Sequence, residues 1–165
     1  MKNWQMPARD RLEMIIVGHA QELDAYKGEE LGASEWIEIT QDGVNRFAAL
    51  TGDDHWIHVD VARAEKEMPD GRTIAHGLYV LSLIPVLQRQ IYRIEKRGRG
   101  LNYGFDRVRF VSPVQTGSRV RLRQKLIDAS PHKIGTRLEI EVIFEVEGQD
   151  KPAMVASNII LIENQ

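Results

Sequence analysis

The stretch "TGDDHWIHVD", Thr51 to Asp60, sets three carboxylates and two imidazoles around Trp56 and Ile57. Asp53 and His58 are the pair whose types and spacing suit general acid/base chemistry. A carboxylate and an imidazole on one loop, four residues between them, can converge on a single water. Two other readings use the same residues. Asp53, Asp54 and Asp60 are also ordinary turn and cap residues for a chain leaving one helix and entering another. His55 and His58, with Asp53 or Asp60 as a third ligand, form a candidate metal set. Trp56 and Ile57 suggest a dry wall there, and no second ligand-rich segment has familiar spacing, which weighs against a metal.

A second segment, "GRTIAHGLYVLSLIP", places His76 and Gly77 where an apolar helix begins. The first amides of a helix have no intrahelical acceptor and lie at the positive end of its dipole, so they can receive a developing oxyanion. Glycine there lets a ligand approach the backbone closely. Alternatively, Gly77 is a simple helix-start glycine and His76 a satisfied core histidine.

The elements that must hold these segments can be read from periodicity. Thr40 is a plausible N-cap for a helix carrying Val44, Phe47, Ala48 and Leu50 on one face, and Gly52 is positioned to end it. The acidic stretch is then the loop leaving that helix, with Asp60 capping a second short helix through Ala64. Leu78 to Ile91, "LYVLSLIPVLQRQI", is apolar on nearly every side, which predicts one enclosed helix kinked at Pro85. Lys96, Arg97 and Arg99 follow it among glycines. Earlier, "EWIEI" alternates as a short strand would. From Arg119 onward the period becomes two: Val120 and Leu122 alternate with Arg119, Arg121 and Arg123, and Leu138 to Val146 alternate with Arg137 and five residues of which four are glutamates. Pairing of the basic strand with the acidic one would bring opposite charges face to face. "EGQDKP" turns into a last strand, Ala153 to Ile162. Residues 8 to 25, with Leu12, Ile15, Ile16 and Leu23, suggest a peripheral N-terminal helix. A sheet curled around one enclosed helix is an α+β arrangement.

The whole chain bounds the chemistry further. At 165 residues with 42% hydrophobic and 28% charged composition, a single domain over residues 1–165 is expected, with the helical segment at about 1–25 peripheral to it. A net charge of -2 gives no general attraction to nucleic acid or an anionic membrane. The absence of cysteine removes disulfides and thiolate chemistry and suits the cytoplasm. The apolar run Met14 to Val17 is too short for a membrane span or a signal-peptide core.

Taken together, "FAALTGDDHWIHVD" and "TIAHGLYVLSL", about 15 residues apart, resemble the MaoC-like dehydratases, the (R)-specific enoyl-CoA hydratase branch of the hotdog-fold superfamily. "LNYGFDRVRFVSPVQTGSRV" is similar to the nodulation-protein-N-type members. The resemblance implies a hotdog fold, a curved antiparallel sheet wrapped around a long central helix, and a homodimer or dimer of dimers with active sites at the interface. It implies a hydro-lyase that adds water reversibly to a trans-2-enoyl thioester, with Asp53 and His58 catalytic and the Gly77 amide binding the thioester oxygen. His55, Trp56, His76 and Ser82 would belong to the substrate pocket. Many members carry Asn-Pro where this chain has His55-Trp56, so the pocket rim departs from that pattern.

No metal or redox cofactor is expected, because the thioester itself acidifies the α-position; coenzyme A or acyl carrier protein would carry the substrate. Lys96, Arg97 and Arg99 are candidates for the carrier's phosphates or, more plainly, cations favoured at a helix C-terminus. An acyl-CoA thioesterase and a non-catalytic thioester binder are the competing functions, although a pure binder has no need of an acid/base pair.

Overall fold

The computed structural model describes residues 13–165. Its main sheet has six strands: β2 (Glu30–Ala33), β3 (Ile37–Glu38), β5 (Gly100–Phe110), β6 (Arg119–His132), β7 (Gly135–Val146) and β8 (Met154–Glu163). The order is β2-β6-β7-β8-β5, every neighbouring pair is antiparallel, and β3 also pairs with β6. The inner face follows the period of two in the sequence: Leu138, Ile140, Val142, Phe144 and Val146 are all buried. The last strand begins one residue after its expected start.

The expected charge pairing is present. Arg121 stands opposite Glu145, and Arg119 reaches Glu147 at 3.1 Å. Arg123 and Glu145, each 4% exposed, are buried rather than on a solvated face. Glu30 of β2 pairs with Arg123, and Trp36 covers the Arg121 guanidinium at 4.6 Å. Burial alone would lower the Arg123 pKa, but the two carboxylates outweigh it and raise it.

The enclosed helix expected from Leu78 to Ile91 is instead two: α4 (Gly77–Ser82) and α5 (Ile84–Gln88), meeting at Leu83. Pro85 falls in the first turn of α5, where a missing N–H costs nothing, so it starts a second helix instead of kinking one. Val80, Ile84 and Leu87 face the sheet, α4 over β8 and α5 over β6. Leu78 and Val86 remain exposed, so one chain does not enclose the pair completely.

Strand β4 (Tyr92–Ile94) follows α5 and pairs in parallel with β1 (Ile15–Val17). Lys96 and Arg97 therefore leave a strand, and a helix dipole does not account for them. In place of an N-terminal helix, the described residues carry β1 and a 3-10 helix, Ala20–Tyr26. Leu12 lies outside the described residues.

Three helices precede the second motif: α1 (Gln41–Thr51), α2 (Trp56–Val59) and α3 (Val61–Glu67). Thr40 caps α1 through the Gly43 amide, and Gly52, at φ 77°, ends it in the left-handed conformation. Val44 and Ala48 are buried, but Leu50 is 84% exposed and lies off the core face. Asp60 caps α3 through the Arg63 amide, as its position suggested.

Candidate active site

Helix α1 delivers the chain to the Asp53 loop, and the single turn of α2 brings His58 inward. The second motif is threaded beside it. The Ile74 amide donates to the Ile57 carbonyl at 3.0 Å, and the Ala75 amide donates to Val114 at 2.8 Å. Gln41 completes the joint: its amide donates to the His58 carbonyl at 2.8 Å, while its Oε1 accepts from the Thr73 hydroxyl. Sequence reading passed over Gln41 and Thr73 because neither residue type announces chemistry. Their effect is to fix the two motifs against each other.

The histidine hydrogen bonds decide where the lone pairs lie. His58 Nδ1 is 2.7 Å from the Ile74 carbonyl, an acceptor only, so Nδ1 carries the proton and Nε2 carries the lone pair. His76 Nε2 is likewise 2.8 Å from the Asp53 carbonyl, which leaves its Nδ1 as the lone-pair nitrogen, buried and without a partner among the described residues. Burial chiefly lowers the His58 pKa; the Ile74 carbonyl pulls it back, nearby His76 lowers it again, and Asp53 raises it. The net direction keeps the ring neutral, the form a general base needs.

Asp53, His58 and His76 present donor atoms within 4.8 Å of one another. His55 and Asp60, the other members of the sequence-derived metal set, are outside this group. The His58 and His76 rings lie 3.8 Å apart at 28°. The two lone pairs therefore lie in stacked, nearly parallel planes, a poor match to one ion that must lie in both ring planes about 2.0–2.1 Å from each nitrogen.

A cavity of about 300 Å3 adjoins His58 and is lined by Gly77, Val80, Phe110, Pro113 and Met154 among others. Gly77 is the first residue of α4, so its amide has no intrahelical acceptor. A side chain there would meet the Phe110 ring at 2.7 Å. Because α4 has only six residues, the amide itself, more than a macrodipole, is the polar group on offer. The contribution of Phe110 to Val114 to this wall was not legible in the sequence, where those residues entered only as part of the segment similar to nodulation-protein-N-type members.

The remaining candidates lie elsewhere. Trp56 is covered by the Arg63 guanidinium at 4.1 Å, His55 is exposed, and the Ser82 hydroxyl donates to the Tyr79 carbonyl at 2.7 Å. None of the three lines the cavity. Arg99 is held by Glu163 at 3.0 Å, and Arg97 lies on the wall of a different cavity.

A sequence profile of the MaoC like domain matches residues 23–147. The chain belongs to the MaoC-like family. It is 46% identical over 140 residues to 3-hydroxyacyl-thioester dehydratase Z of Mycobacterium tuberculosis (strain ATCC 25618 / H37Rv), covering 84% of this chain and 92% of that protein. It is 43% identical over 138 residues to Nodulation protein N of Rhizobium meliloti (strain 1021), covering 82% and 86%. Among solved structures, the unliganded R-hydratase PhaJ1 from Pseudomonas aeruginosa superposes with a TM-score of 0.72 at 20% identity, over 90% of this chain and 87% of that one. The (R)-hydratase from A. caviae gives 0.66 at 22% identity, over 81% and 94%. The hotdog architecture of this MaoC-like chain is thus shared with those enzymes.

Proposed function

We propose that this protein catalyses the reversible addition of water across the double bond of a trans-2-enoyl thioester, giving the (R)-3-hydroxyacyl thioester. The observation that carries the reading is the free Nε2 lone pair of neutral His58, beside the Asp53 carboxylate and at a mainly apolar cavity lined also by Gly77, the first residue of α4. The names of the 46%-identical dehydratase and of the hydratase structures support it.

In this mechanism His58 Nε2 accepts a proton from a water that Asp53 holds through its second hydrogen. The hydroxide equivalent adds to the β-carbon, the thioester oxygen gains charge against the Gly77 amide, and the proton is returned to the α-carbon. A positioned oxyanion donor of this kind contributes on the order of 3 kcal/mol. Dehydration is the reverse. The thioester acidifies the α-carbon itself, so the scheme calls on no metal or redox cofactor. Coenzyme A or acyl carrier protein is the carrier, and the cytoplasm is the setting this chemistry suits. No helix among the described residues is long and apolar enough to cross a membrane. The carrier-phosphate role for Lys96, Arg97 and Arg99 draws less support, since Arg99 is already paired. His55, Trp56 and Ser82 are proposed only as outer groups that a carrier could touch.

The test is an enoyl-CoA absorbance assay across acyl lengths, with chiral analysis of the product and a thiol-release assay alongside. Loss of enoyl absorbance without free thiol supports hydration. Stoichiometric thiol release would instead assign a thioesterase.

A further inference from the structure

Gln41, the first residue of α1, reaches His58 from a different helix, and the direction of each bond it makes follows from its partners. The His58 carbonyl and Asn45 Oδ1 both lie 2.8 Å from Gln41 Nε2. A carbonyl only accepts, so the amide nitrogen faces His58 and Oε1 faces Thr73. The buried Thr73 hydroxyl donates its one proton to Gln41 and therefore accepts from the Thr116 hydroxyl, 2.9 Å away. The Thr116 amide also donates to the Thr73 carbonyl at 2.9 Å, which fixes the far end. Donation thus runs one way, from Thr116 to Thr73 to Gln41 to the His58 carbonyl.

That carbonyl depends on Gln41. Helix α2 is a single turn of four residues, too short to hold its own shape, and among the described residues no backbone amide donates to the His58 oxygen. Gln41 closes the open end of the turn that carries the ring. The ring is fixed separately, by the bond from Nδ1 to the carbonyl of Ile74, the residue after Thr73. His58 is thus clamped at its backbone and at its imidazole by neighbouring parts of one linkage. Gln41, Thr73 and Thr116 do not line the cavity at His58, so their action is on the histidine and not on a substrate.

We propose that Gln41, oriented by Thr73 and Thr116, is a positioning residue for His58, keeping the imidazole on the Ile74 carbonyl and Nε2 free beside Asp53. The assignment rests on the reading of His58 as the base, but its effect on the imidazole can be measured without turnover.

Gln41→Glu is the sharpest variant. A carboxylate keeps the shape and still accepts from Thr73, cannot donate to the His58 carbonyl, and suits the first turn of α1, so the helix should form normally. Gln41→Glu and Thr73→Val should each lower kcat about tenfold or more with KM changed less than about threefold, and the double variant should be no slower than Gln41→Glu alone. Thr73→Ser, which keeps the donor, should stay within about threefold of the parent. Heteronuclear NMR of the isotope-labelled full chain, with the His58 signals assigned against His58→Ala, gives the second readout. The parent should show His58 protonated at Nδ1, and Gln41→Glu a mixture of tautomers as the Ile74 bond loosens. The proposal is overturned if folded Gln41→Glu keeps the parent's kcat, if its His58 signals match the parent's, or if Thr73→Ser is slowed as much as Thr73→Val. A parent that hydrates no enoyl thioester would sink the reaction reading alone, and the His58 tautomer in Gln41→Glu would still decide the positioning.

Discussion

His58 and His76 stack with ring centroids 3.8 Å apart, and each donates its other ring N–H to a backbone carbonyl of the opposite motif. His58 is fastened to Ile74 and His76 to Asp53, so the loop and the helix start hold each other. A charge on the His58 ring is opposed both by burial and by His76. His58 therefore stays neutral to lower pH than an ordinary histidine, whose pKa is about 6.5.

The pH consequence follows in sign. Activity that needs neutral His58 should persist below pH 6.5 and fall only as the lowered folded-state pKa is crossed. In the unfolded chain the same ring protonates near its ordinary pKa, so between the two values the unfolded state binds more protons. Stability should accordingly decline as pH falls below about 6.5. His76→Phe keeps an aromatic ring under His58 but removes the imidazole that lowers the His58 pKa and the tether to Asp53. Its acid limb should move to higher pH, and kcat should drop about ten- to a hundredfold from the loosened loop. A pH–rate profile identical to the parent's would reject this role for His76.

Asp53→Asn should fold normally and lower hydratase turnover by on the order of a hundredfold, because the water loses the carboxylate that orients it toward His58. Asp53 is exposed and makes few contacts of its own, so circular dichroism and Tm should hardly change. Chelator treatment should leave the parent's turnover unchanged, since the stacked imidazoles do not aim their lone pairs at one point. Loss of activity on chelation, restored by added metal, would favour the metal reading.

At Gly77 the steric argument is direct. Gly77→Ala puts a methyl carbon 2.7 Å from Cγ and Cδ1 of Phe110, the root of the ring and not its flexible end. Relief requires Phe110 to leave the cavity wall or the Gly77 amide to turn. Overpacking of this kind costs about 1–3 kcal/mol of stability. Turnover should fall by more than tenfold, up to the loss of an oxyanion donor. Normal kcat in a folded Gly77→Ala enzyme would remove the amide from the mechanism.

The sheet offers a contrast between two ion pairs on the same strands. Glu145 is buried between Arg121 and Arg123, at 2.5 and 3.0 Å, while Glu147 meets Arg119 with both side chains about half exposed. Removing Glu145 strips a buried guanidinium of one carboxylate. Glu145→Ala should destabilise by about 3 kcal/mol or more, and Glu147→Ala by under about 1 kcal/mol. Urea unfolding of both variants checks the difference, and equal values would mean the buried cluster is better solvated than its geometry suggests.

What sequence could reach here depended on the range of the interactions. The caps Thr40 and Asp60 and the stop at Gly52 are local, and all three could be read from neighbours within a turn. The alternation of β6 and β7 is equally local and also gave their charge pairing. Pro85 marks where helical geometry must change, but a break or a kink satisfies it equally, and packing of α4 and α5 over different strands selected the break. Strand β1 escaped notice because its three residues pair with a segment more than seventy residues away. The histidine tautomers were beyond reach for the same reason: they are set by Ile74 and by the Asp53 carbonyl across the motif junction. Asp53 and His58 were found from residue type and spacing, whereas Gln41, Thr73 and Phe110 act through contacts that leave no mark on their own segments.

The last prediction concerns what covers the free edge. Strand β5 ends the sheet order, with only β8 beside it, so one row of its backbone amides and carbonyls has no strand partner. Leu101, Tyr103 and Phe110 on this strand are exposed, Tyr103 by 70%, and Leu78 and Val86 of the helix pair are exposed as well. A long edge strand bearing large apolar side chains is an open template for pairing. A two-fold copy meeting it edge to edge would satisfy the backbone groups and bury these residues, consistent with the prevalence of such dimers. Phe110 also lines the cavity at Gly77, so an interface along β5 would bring the partner close to the chemistry. We therefore expect a homodimer or a dimer of dimers in light scattering at low micromolar concentration. Tyr103→Pro, which places a residue without an N–H in the edge strand, should shift the protein toward monomer and lower turnover together. A monomeric variant that remains fully active would show that each site is complete within one chain.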